Sequence, residues 1–493
     1  MANLQTDVKN QGLQQLEARL QDDLACLNYP APNWVPSRTT NSGQNVSDVT
    51  IVGSGMCGLV AWFALRQSGV TNIRILDRAA SGQEGPWVTY ARMETLRSPK
   101  TLIGPAFGIA SLTFRAWFTA QFGREAWDEL YRIPRRQWMD YLRWYRKVLD
   151  IAVENGTELT SVLQRPDGYL ELEINGGCRA PIITRKLVLA TGREGMGDAS
   201  LPSFIKSITR HLHWAHSSDP VDFSALRGKR VVVIGIGASA VDNAAEALEA
   251  GAGEVRLLAR RAEMPQINKL MGVGSYGMTA GYAEMPAEWR WRFSHYAACQ
   301  QTPAPHNSTL RVSRHKNAFF HFNCDIASVV ERDGEIVLET RSGRSFTTDF
   351  VLLGTGFTVD PKLRPELRFV ASHIACWEDR FTPRETEQNR EQGRYPWLND
   401  DFSFVERDMG KAPWLADIHC FNYASAMSLG KVSGDIPAIS EGAKWLARSI
   451  SAQLFNRDIQ QHWDALQAYS LPELDGSEWT DADACLEMKE NTV

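Results

Sequence analysis

The sequence predicts an α/β protein with two Rossmann-like dinucleotide-binding domains of the three-layer ββα type, and three observations predict it. Residues 49–58 (VTIVGSGMCG) and 231–240 (VVVIGIGASA) each pass from a β-rich run into a Gly-x-Gly-x-x-Gly/Ala turn. A helical segment and a second β-rich run follow each turn. Both copies also end alike, with GYLELEINGG and LVLATG in the first and GEIVLETRSG and VLLGTG in the second. Landmarks repeated in the same order indicate an internal duplication.

The elements of the first copy follow from its glycines and from the period of its apolar residues. The pattern predicts a helix over 59–68 that ends at Gly69, where glycine can adopt the left-handed cap. A strand is predicted over 73–77. Apolar and polar residues then alternate from Leu170 to Ile174, which predicts a small antiparallel strand attached to the copy.

The second copy predicts the same order of elements. A helix over 241–250 ends at Gly251, and a strand is predicted over 255–259. The alternation at Ile336 and Leu338 again predicts a small antiparallel strand.

The composition excludes several classes of protein and partner. The 493 residues contain 53 Lys and Arg against 58 Asp and Glu, so the chain lacks the basic excess of proteins that bind nucleic acid or an anionic membrane. Eight cysteines without a C-x-x-C pair, and the cluster His211, His213 and His216 without further ligands, predict no metal site. The first 25 residues show no signal-peptide pattern. We therefore expect a cytoplasmic protein whose partner is a small molecule.

An N-terminal arm, residues 1–47, precedes the first copy. Leu13, Leu16, Leu20 and Leu24 fall on one face of a helix. We expect an amphipathic helix that packs on the body of the protein or on a second subunit, which leaves a homo-oligomer open.

The first glycine turn has the pattern of a site for the adenosine half of FAD or NAD. Gly53 permits the tight turn, Gly55 lets the backbone approach a pyrophosphate, and Gly58 allows close packing of helix on strand. The pyrophosphate would rest on the N-terminus of the following helix, where unpaired N–H groups and the helix dipole favour an anion. Asp77, at the end of the next strand, would accept hydrogen bonds from a ribose diol.

The second glycine turn contains Gly235, Gly237 and Ala240 but is not followed by an acidic residue. Its next β-rich run ends in LARR, with Arg260 and Arg261 where the acid would stand. Either guanidinium would pair with a 2′-phosphate, a charge-assisted contact worth about 1.5–3 kcal/mol. The pattern favours NADPH over NADH, and the alternative is a solvated arginine pair at a strand end.

Two nucleotide folds with different ribose chemistry indicate that one cofactor delivers a hydride to another. NADPH in the second copy would then reduce FAD in the first. Near the C-terminus, SGDIPAISEGAKWLARSI places Gly434, Asp435 and Pro437 at the start of a helix. The N-terminus of this helix would stabilise the negative charge of a reduced flavin; the alternative is an ordinary capped core helix.

Four motifs resemble those of the class B flavin-dependent monooxygenases, the superfamily of flavin-containing, N-hydroxylating and Baeyer–Villiger enzymes. They are GSGMCG, LVLATG ending at Gly192, GIGASA, and DFVLLGTGF, which contains Gly356. The resemblance implies that NADPH reduces FAD and that a flavin C4a-hydroperoxide transfers one oxygen atom of O2 to a small organic substrate. It also implies cofactor contacts at Gly192 and Gly356, and it places Trp87 of the GPW segment beside the isoalloxazine.

The superfamily's F-x-G-x-x-x-H-x-x-x-W/Y/F fingerprint, which should precede the second turn, is missing. His216 stands at the position of its histidine, but Arg210 replaces the Phe, Leu212 the Gly and Pro220 the final aromatic residue. The reaction therefore stays open among N-hydroxylation, hydroxylation of a heteroaromatic or other carbon centre as in flavin-dependent urate hydroxylases, and Baeyer–Villiger oxidation. No catalytic acid or base is assigned, because the flavin carries the chemistry.

Two further classes remain as alternatives. An FAD- and NAD(P)H-dependent reductase or electron-transfer flavoprotein shares the paired folds, although disulfide reductases need two thiols one turn apart and this sequence has no such pair. A non-catalytic flavoprotein that binds both nucleotides would consume no oxygen beyond slow leakage.

These assignments give the expected domain organisation. The FAD-binding domain is discontinuous, with residues 48–200 and 357–493, and residues 201–356 form the NADPH-binding domain.

Two segments carry side chains beyond the repeat. The aromatic residues of 101–150 are expected in the core. The insert at about 262–325 is a candidate lid over the substrate. Its Arg290, Arg292 and His295 are candidates for binding an anion, and the alternative is a surface helix with solvated charges.

Overall fold

The computed structural model describes residues 2–175, 180–480 and 482, with side chains from residue 11 onward. Cys178, Cys485 and the last two glycines of the GYLELEINGG run lie outside the described residues. The chain forms two compact units, Met1–Ser451 and Ala452–Val493. Within the described ranges, no helix has the length and apolar character needed to cross a lipid bilayer.

The described chain alternates between helices and strands. The helices are α1 (Ala2–Cys26), α2 (Met56–Gln67), α3 (Phe114–Glu129), α4 (Arg135–Val148), α5 (Ala238–Glu249), α6 (Tyr276–Gly281), α7 (Ala287–Gln300), α8 (His306–Ser313), α9 (Trp377–Arg380), α10 (Arg390–Gly393), α11 (Ala426–Leu429), α12 (Ile439–Arg457) and α13 (Ile459–Ala468). The strands are β1 (Arg38–Thr39), β2 (Asn45–Val52), β3 (Ile73–Asp77), β4 (Glu154–Asn155), β5 (Glu158–Gln164), β6 (Leu170–Asn175), β7 (Ile182–Leu189), β8 (Gly197–Ala199), β9 (Trp214–His216), β10 (Arg230–Ile234), β11 (Glu254–Leu258), β12 (Ala318–His321), β13 (Ile326–Arg332), β14 (Glu335–Thr340), β15 (Ser345–Thr348), β16 (Phe350–Leu353), β17 (Phe357–Val359) and β18 (Ile418–His419).

The first sheet has eight strands in the order β4-β3-β2-β7-β6-β5, with β1 added to β2 and β18 added to β7. Strand β2 pairs in parallel with β3 and β7, so that Ile51 lies between Ile75 and Val188. Strands β5 and β6 continue the sheet from β7 in antiparallel pairs. Every residue of β7 is buried, which is typical of a parallel strand covered on both faces.

The second sheet and its neighbours form three layers. The sheet has five parallel strands in the order β12-β11-β10-β16-β9. On one face, Val233 packs with Ala244 of α5. On the other face, Val232 packs with Leu338 of a separate antiparallel sheet, β13-β14-β15. This arrangement confirms the predicted class, a pair of Rossmann-like folds of the ββα type.

The helices that follow the two glycine turns begin earlier than the sequence predicted. Helix α2 begins at Met56 and α5 at Ala238, three residues before the predicted starts in each case, because Gly55 and Gly237 are the N-caps. The strand predicted over 73–77 is observed with those bounds.

A short two-stranded ribbon carries the chain between the two sheets. Strand β8 follows the first sheet and precedes β9, and β17 follows β16 on the return. The two strands pair antiparallel, with Phe357 opposite Ala199. The crossings in the two directions therefore lie side by side.

The N-terminal helix α1 packs within the first compact unit, Met1–Ser451. Packing on the body of the protein was one of the two predicted positions, the other being a second subunit. Leu16, Leu20 and Leu24 are buried. A Cβ on Gly12 would lie 2.1 Å from the Ala120 carbonyl oxygen, which shows how closely α1 and α3 approach.

The aromatic residues of α3 and α4 form core, as expected. Trp138, Tyr141 and Tyr145, spaced along one face of α4, are fully buried. The ring of Phe114 lies 5.8 Å from that of Trp138 and 5.5 Å from that of Tyr141.

The insert is anchored through its later helices. In α7, Trp291 is buried and packs with Trp377 and Met427 from the segment that follows the second copy. The earlier part of the insert exposes apolar side chains such as Ile267 and Met271. Closure over a substrate stays a prediction.

A buried arginine joins α8 to α5. Arg311 is 3% exposed, and its guanidinium lies 2.7 Å from the Glu249 carboxylate, 3.1 Å from that of Glu246 and 3.7 Å from that of Asp242. It also donates to the carbonyl oxygen of Arg92 at 3.0 Å. Burial raises the pKa of Asp242 to about 6, so this network holds a carboxyl group that titrates near neutrality.

The second compact unit contains the end of α12, helix α13 and the segment after it. The rings of Phe455 and His462 stack with centroids 4.2 Å apart. Trp463 and Leu466 of α13 are exposed.

Candidate cofactor-binding site

The first glycine turn, between β2 and α2, leaves no room for side chains at two of its positions. Gly53 has a φ of +97°, and a Cβ there would lie 2.5 Å from the Ala190 carbonyl oxygen. A Cβ on Gly58 would lie 1.9 Å from the Gly53 carbonyl oxygen. A Cβ on Gly55 would lie 3.7 Å from Gly85 Cα, an ordinary van der Waals distance. The turn itself requires Gly53 and Gly58, whereas Gly55 leaves backbone open to a ligand.

The N-terminus of α2 presents hydrogen-bond donors. Gly55 is its N-cap, and within the described residues no side chain caps the helix. The first bond of the helix runs from Leu59 N to Gly55 O at 3.1 Å, so the N–H groups before Leu59 have no carbonyl partner within the helix. These donors and the helix dipole fit the pyrophosphate of a dinucleotide.

Asp77 is held beside this turn by three hydrogen bonds. Its Oδ2 accepts from Ser54 N at 2.7 Å and from Ser54 Oγ at 3.0 Å, and its Oδ1 accepts from Ala79 N at 2.8 Å. Carboxylate oxygens have further lone pairs, so a ribose hydroxyl could still donate to Asp77. Ser54 was missed from the sequence, although a serine between the two glycines of the turn was a visible signal.

The GPW segment lies against the first turn. Gly85 approaches Gly55, as the distance above shows, and the Trp87 ring is centred 6.3 Å from that of Trp138. The Trp87 carbonyl oxygen accepts a hydrogen bond from Arg135 at 2.6 Å. The structure thus fixes this segment next to the first glycine turn; the contact between Trp87 and the isoalloxazine stays a prediction.

The second glycine turn is as closely packed as the first. Gly235 has a φ of +113°, and a Cβ there would lie 2.7 Å from the Gly354 carbonyl oxygen. A Cβ on Gly354 would lie 2.3 Å from the Cβ of Ala240. Gly237 is the N-cap of α5, without a capping side chain in the described residues. Gly354, in the repeated VLLGTG motif, is thus a further member of this turn.

The two arginines that follow β11 differ in their contacts. Both are exposed. Arg261 Nη2 donates to the Cys299 carbonyl oxygen at 2.9 Å. Arg260 has no hydrogen bond or ion pair within the described part of the chain. Arg260 is therefore the guanidinium that is free to meet a ligand.

Gly192 and Gly356 stand where the chain leaves each sheet for the connecting ribbon. Their φ angles are +75° and +77°. Gly192 O accepts from Tyr423 N at 3.3 Å, and Gly356 O accepts from Ser200 N at 2.9 Å. A Cβ at either glycine would meet no described atom within 4 Å, so open space adjoins the backbone at both positions.

The SGDIP segment lies on the first turn of α2. The Cys57 thiol donates to the Ser433 carbonyl oxygen at 3.0 Å, and burial raises the pKa of this thiol to about 12. Asp435 is half-exposed and lies 3.3 Å from the Lys431 ammonium. The predicted helix begins at Ile439, after a 3₁₀ turn over Ile436–Ala438. The stabilisation of a reduced flavin by this helix stays a prediction.

Arg193 and Tyr423 form a cation–aromatic pair beside Gly192, which sequence reasoning missed. The guanidinium carbon lies 4.5 Å from the centre of the Tyr423 ring. Asn422, which directly precedes Tyr423, anchors that tyrosine by donating to the Leu189 carbonyl oxygen at 3.1 Å. Burial and the neighbouring Tyr423 hydroxyl raise the pKa of Tyr395 above its ordinary value. The pair lies past the carboxyl end of β7, where α/β proteins bind ligands.

The charged residues of α7 are engaged in packing. Arg290 donates to the Ser428 carbonyl oxygen at 2.7 Å, and its guanidinium lies 5.3 Å from the centre of the Trp377 ring. Arg292 pairs with Glu387 at 3.1 Å. Both arginines therefore bind other parts of the protein, whereas the sequence predicted either an anion site or a surface helix with solvated charges.

The histidines singled out in the sequence have separate environments. His216 is buried, and its Nδ1 lies 2.7 Å from the hydroxyl of the serine two residues on. His213 lies 3.6 Å from a glutamate of β13, His211 is exposed, and His295 lies 3.4 Å from a cysteine thiol. Within the part of the chain that the structure describes, no group of three or more His, Cys, Asp or Glu side chains is arranged to hold a metal ion.

A protein family and a bacterial enzyme are similar to this chain in sequence. Residues 50–272 match the family model described as pyridine nucleotide-disulphide oxidoreductase. The FAD-dependent urate hydroxylase of Xanthomonas campestris pv. campestris is 37% identical over 467 residues, which are 94% of this chain and 98% of that protein.

Solved structures share the fold at low sequence identity. The ornithine N-hydroxylase of Kutzneria sp. 744, solved with reduced FAD, NADP+ and L-ornithine, is 17% identical, with a TM-score of 0.63 over 83% of this chain and 99% of its own. A bacillithiol disulfide reductase of Staphylococcus aureus is also 17% identical, with a TM-score of 0.54 over 83% of this chain and 98% of its own.

The comparisons confirm the predictions of a flavin-dependent monooxygenase and of FAD as a cofactor. The glycine turns, their uncapped helices and Asp77 fit a dinucleotide on this chain's own geometry. Because the similarity to the Xanthomonas hydroxylase extends over nearly the whole of both chains, this protein belongs to the same family and is an FAD-dependent monooxygenase.

Proposed function

We propose that this enzyme hydroxylates urate or a closely related oxopurine, with NADPH and O2 as co-substrates. The observation that carries the proposal is the 37% identity to an FAD-dependent urate hydroxylase over 94% of the chain. Bound FAD would accept a hydride from NADPH and activate O2, so that one oxygen atom enters the substrate and the other leaves as water.

The chain's own residues would hold the two cofactors. At the first turn, Gly53, Gly55 and the N-terminus of α2 would bind the pyrophosphate of FAD, and Asp77 would bind the adenosine ribose. At the second, Gly235, Gly237 and the N-terminus of α5 would bind the pyrophosphate of NADPH. Residues 48–200 with 357–493 would then form the FAD domain and residues 201–356 the NADPH domain.

Arg260→Ala should weaken the binding of NADPH more than the binding of NADH. Its guanidinium has no other partner in the described chain, and a lost contact to a 2′-phosphate corresponds to a rise in KM of about 10- to 100-fold. The KM for NADH should stay within about twofold. Steady-state kinetics with both coenzymes measure this, with Arg261→Ala as the matched control. Equal losses for NADPH and NADH would move the 2′-phosphate contact elsewhere.

Arg193 and Tyr423 suit the proposed substrate. Urate is a flat heterocycle that carries a negative charge at neutral pH, and a guanidinium can hydrogen-bond an anionic oxygen and nitrogen in a bidentate way. The aromatic ring offers a stacking surface. In this arrangement the two side chains bind and orient the substrate next to Gly192 and transfer no proton.

Oxygen uptake tests the proposal directly. The FAD-loaded enzyme should oxidise NADPH and consume O2 in a 1:1 ratio when urate is added, and mass spectrometry should show a purine product with one added oxygen atom. L-Ornithine, a cyclic ketone and xanthine serve as comparison substrates. A faster, coupled reaction with the amine or the ketone, together with none for urate, would refute the substrate assignment.

Arg193→Ala should raise the KM for urate by about tenfold or more, because it removes a charge-assisted contact. The value of kcat should change less, since the residue acts in binding. Arg124→Ala removes an exposed arginine of α3 and is the control. An unchanged KM for urate would place the substrate away from this pair.

The location and assembly of the enzyme belong to the same proposal. We expect it in the cytoplasm, and a homo-oligomer stays a prediction.

A further inference from the structure

Two adjoining cavities lie where the segment after Trp87 and helix α4 face the loop before β10. The smaller has a volume of about 300 Å³, and its lining includes Arg92, Arg135, Arg136 and Phe223. The larger, of about 620 Å³, shares Arg136 with it. Neither is lined by a residue of the two glycine turns, so the cavities belong to no cofactor contact described above.

The lining of the smaller cavity carries three guanidinium groups against a single carboxylate, that of Glu246. Arg92, Arg135 and Arg136 make no ion pair with a carboxylate within the described residues. The acid that also lines this cavity, Glu246, lies 3.1 Å from Arg311 and is already paired.

The charge of the larger cavity is closer to balance. Its Asp140 and Arg143 pair with each other at 2.8 Å. The excess positive charge therefore belongs to the smaller cavity, and Arg136 extends it to the larger one.

Two of these guanidinium groups are held in place by backbone and ring contacts. Arg92 donates to the Thr89 carbonyl oxygen at 2.5 Å and lies 5.4 Å from the centre of the Phe223 ring, and its buried Nε has no hydrogen-bond partner within the described chain. Arg135 donates to the Trp87 carbonyl oxygen. Burial lowers the pKa of both groups, and this effect outweighs the nearby Glu246 carboxylate, which raises both pKa values. Arg136 and Arg92 lower the pKa of Arg135 as well.

Such a cluster is costly unless an anion neutralises it. Like charges at the edge of a low-dielectric cavity repel one another, and partial burial removes part of their hydration. The planar fork of arginine matches phosphate oxygens in a bidentate way. The apolar surface of Phe223, Val88 and Val221 next to the charges would suit a ring such as a nucleobase.

We propose that this arginine-lined cavity binds a phosphate group of a nucleotide, at a site that the two glycine turns do not form. Because Arg135 holds the Trp87 carbonyl oxygen, an occupant would also fix the GPW segment against the first glycine turn. The phosphate could come from an adenine nucleotide, from NADPH or from free phosphate, and the test separates these sources.

Isothermal titration of the FAD-loaded enzyme with ADP, pyrophosphate and inorganic phosphate, at constant ionic strength set with NaCl, tests the site. We expect saturable binding of ADP or pyrophosphate and a rise in Tm of about 3–5 °C at saturation. Arg136→Ala should weaken this binding at least tenfold, and Arg136→Lys should lie between it and the wild type, because lysine keeps the charge but loses the fork. Arg136 is exposed, so neither change should unfold the protein.

Arg124→Ala is the matched control and should bind as the wild type does. Binding of NADPH to the same site would appear as competition with ADP that persists in Arg260→Ala, whereas NADH would compete less. Tighter binding of inorganic phosphate than of ADP would assign the site to free phosphate. Absence of saturable binding by all three anions, or equal binding by the wild type and Arg136→Ala, would overturn the proposal. None of these measurements depends on urate turnover.

Discussion

Gly58→Ala should yield a protein that purifies without FAD. The added Cβ would lie 1.9 Å from the Gly53 carbonyl oxygen, and both positions are backbone, so no side chain can move aside. Helix α2 would have to shift away from β2, which would displace the donors that follow Gly55. We expect FAD to bind at least 100-fold more weakly, and the free energy of unfolding to fall by about 1–3 kcal/mol as in other overpacked cores. The ratio of flavin to protein absorbance and thermal unfolding measure the two effects.

Substitutions at two other glycines serve as controls for this result. At Gly272, a Cβ meets no described atom within 4 Å, so Gly272→Ala should retain FAD and keep its Tm within about 1 °C. At Gly55 the added Cβ makes an ordinary contact with Gly85 Cα, so Gly55→Ala should fold normally but bind FAD more weakly. A yellow Gly58→Ala protein of full stability would contradict the proposed role of the first turn.

Arg311→Leu should be the most destabilising substitution outside the glycine turns. It leaves the carboxylates of Asp242, Glu246 and Glu249 without their shared guanidinium, and breaking a buried ion pair costs about 3–5 kcal/mol. Denaturant unfolding monitored by fluorescence measures the loss. Arg314→Ala is the control, because Arg314 is exposed and pairs with the same Glu249 at 2.6 Å; its loss should stay below about 1 kcal/mol.

The cost of Arg311→Leu should also depend on pH. The pKa of Asp242 is about 6, raised by burial, while Ser308 and Arg311 favour its ionised form and Glu246 and Glu94 oppose it. Removing the guanidinium raises this pKa further. The buried carboxyl group is then neutral at pH 5, whereas at pH 7.5 it must either ionise without Arg311 or stay protonated at a cost in free energy. The destabilisation should therefore grow between pH 5 and pH 7.5. A loss that is independent of pH would exclude Asp242 from the network's energetics.

The paired folds were predictable because local rules set them. A glycine that must adopt φ near +100° or must touch backbone, such as Gly53 or Gly235, is visible in the sequence as a fixed spacing. The starts of α2 and α5 differ from the sequence prediction, because Gly55 and Gly237 are the N-caps and the last three residues of each turn are already helical.

The rest depended on contacts between distant parts of the chain. Arg290 looked like a free cation in the sequence, but Trp377, 87 positions further on, occupies its guanidinium. Arg193 gained its significance from Tyr423, which the fold brings onto it from beyond the second copy. Likewise, folding brings Arg92 and Arg136 into the lining of one cavity. The spacing of residues along the sequence carries no information about such long-range contacts.

The position of β18 has a consequence for synthesis on the ribosome. The five strands of the second sheet all come from the continuous stretch Trp214–Leu353, whereas β18, which completes the first sheet beside β7, ends at His419. The internal half of the molecule can thus acquire its hydrogen-bonded ladder during translation, while the sheet that begins earlier gains its last strand only 66 codons later. Nascent chains arrested shortly after residue 353 should therefore protect the later-encoded sheet from proteolysis before the earlier-encoded one.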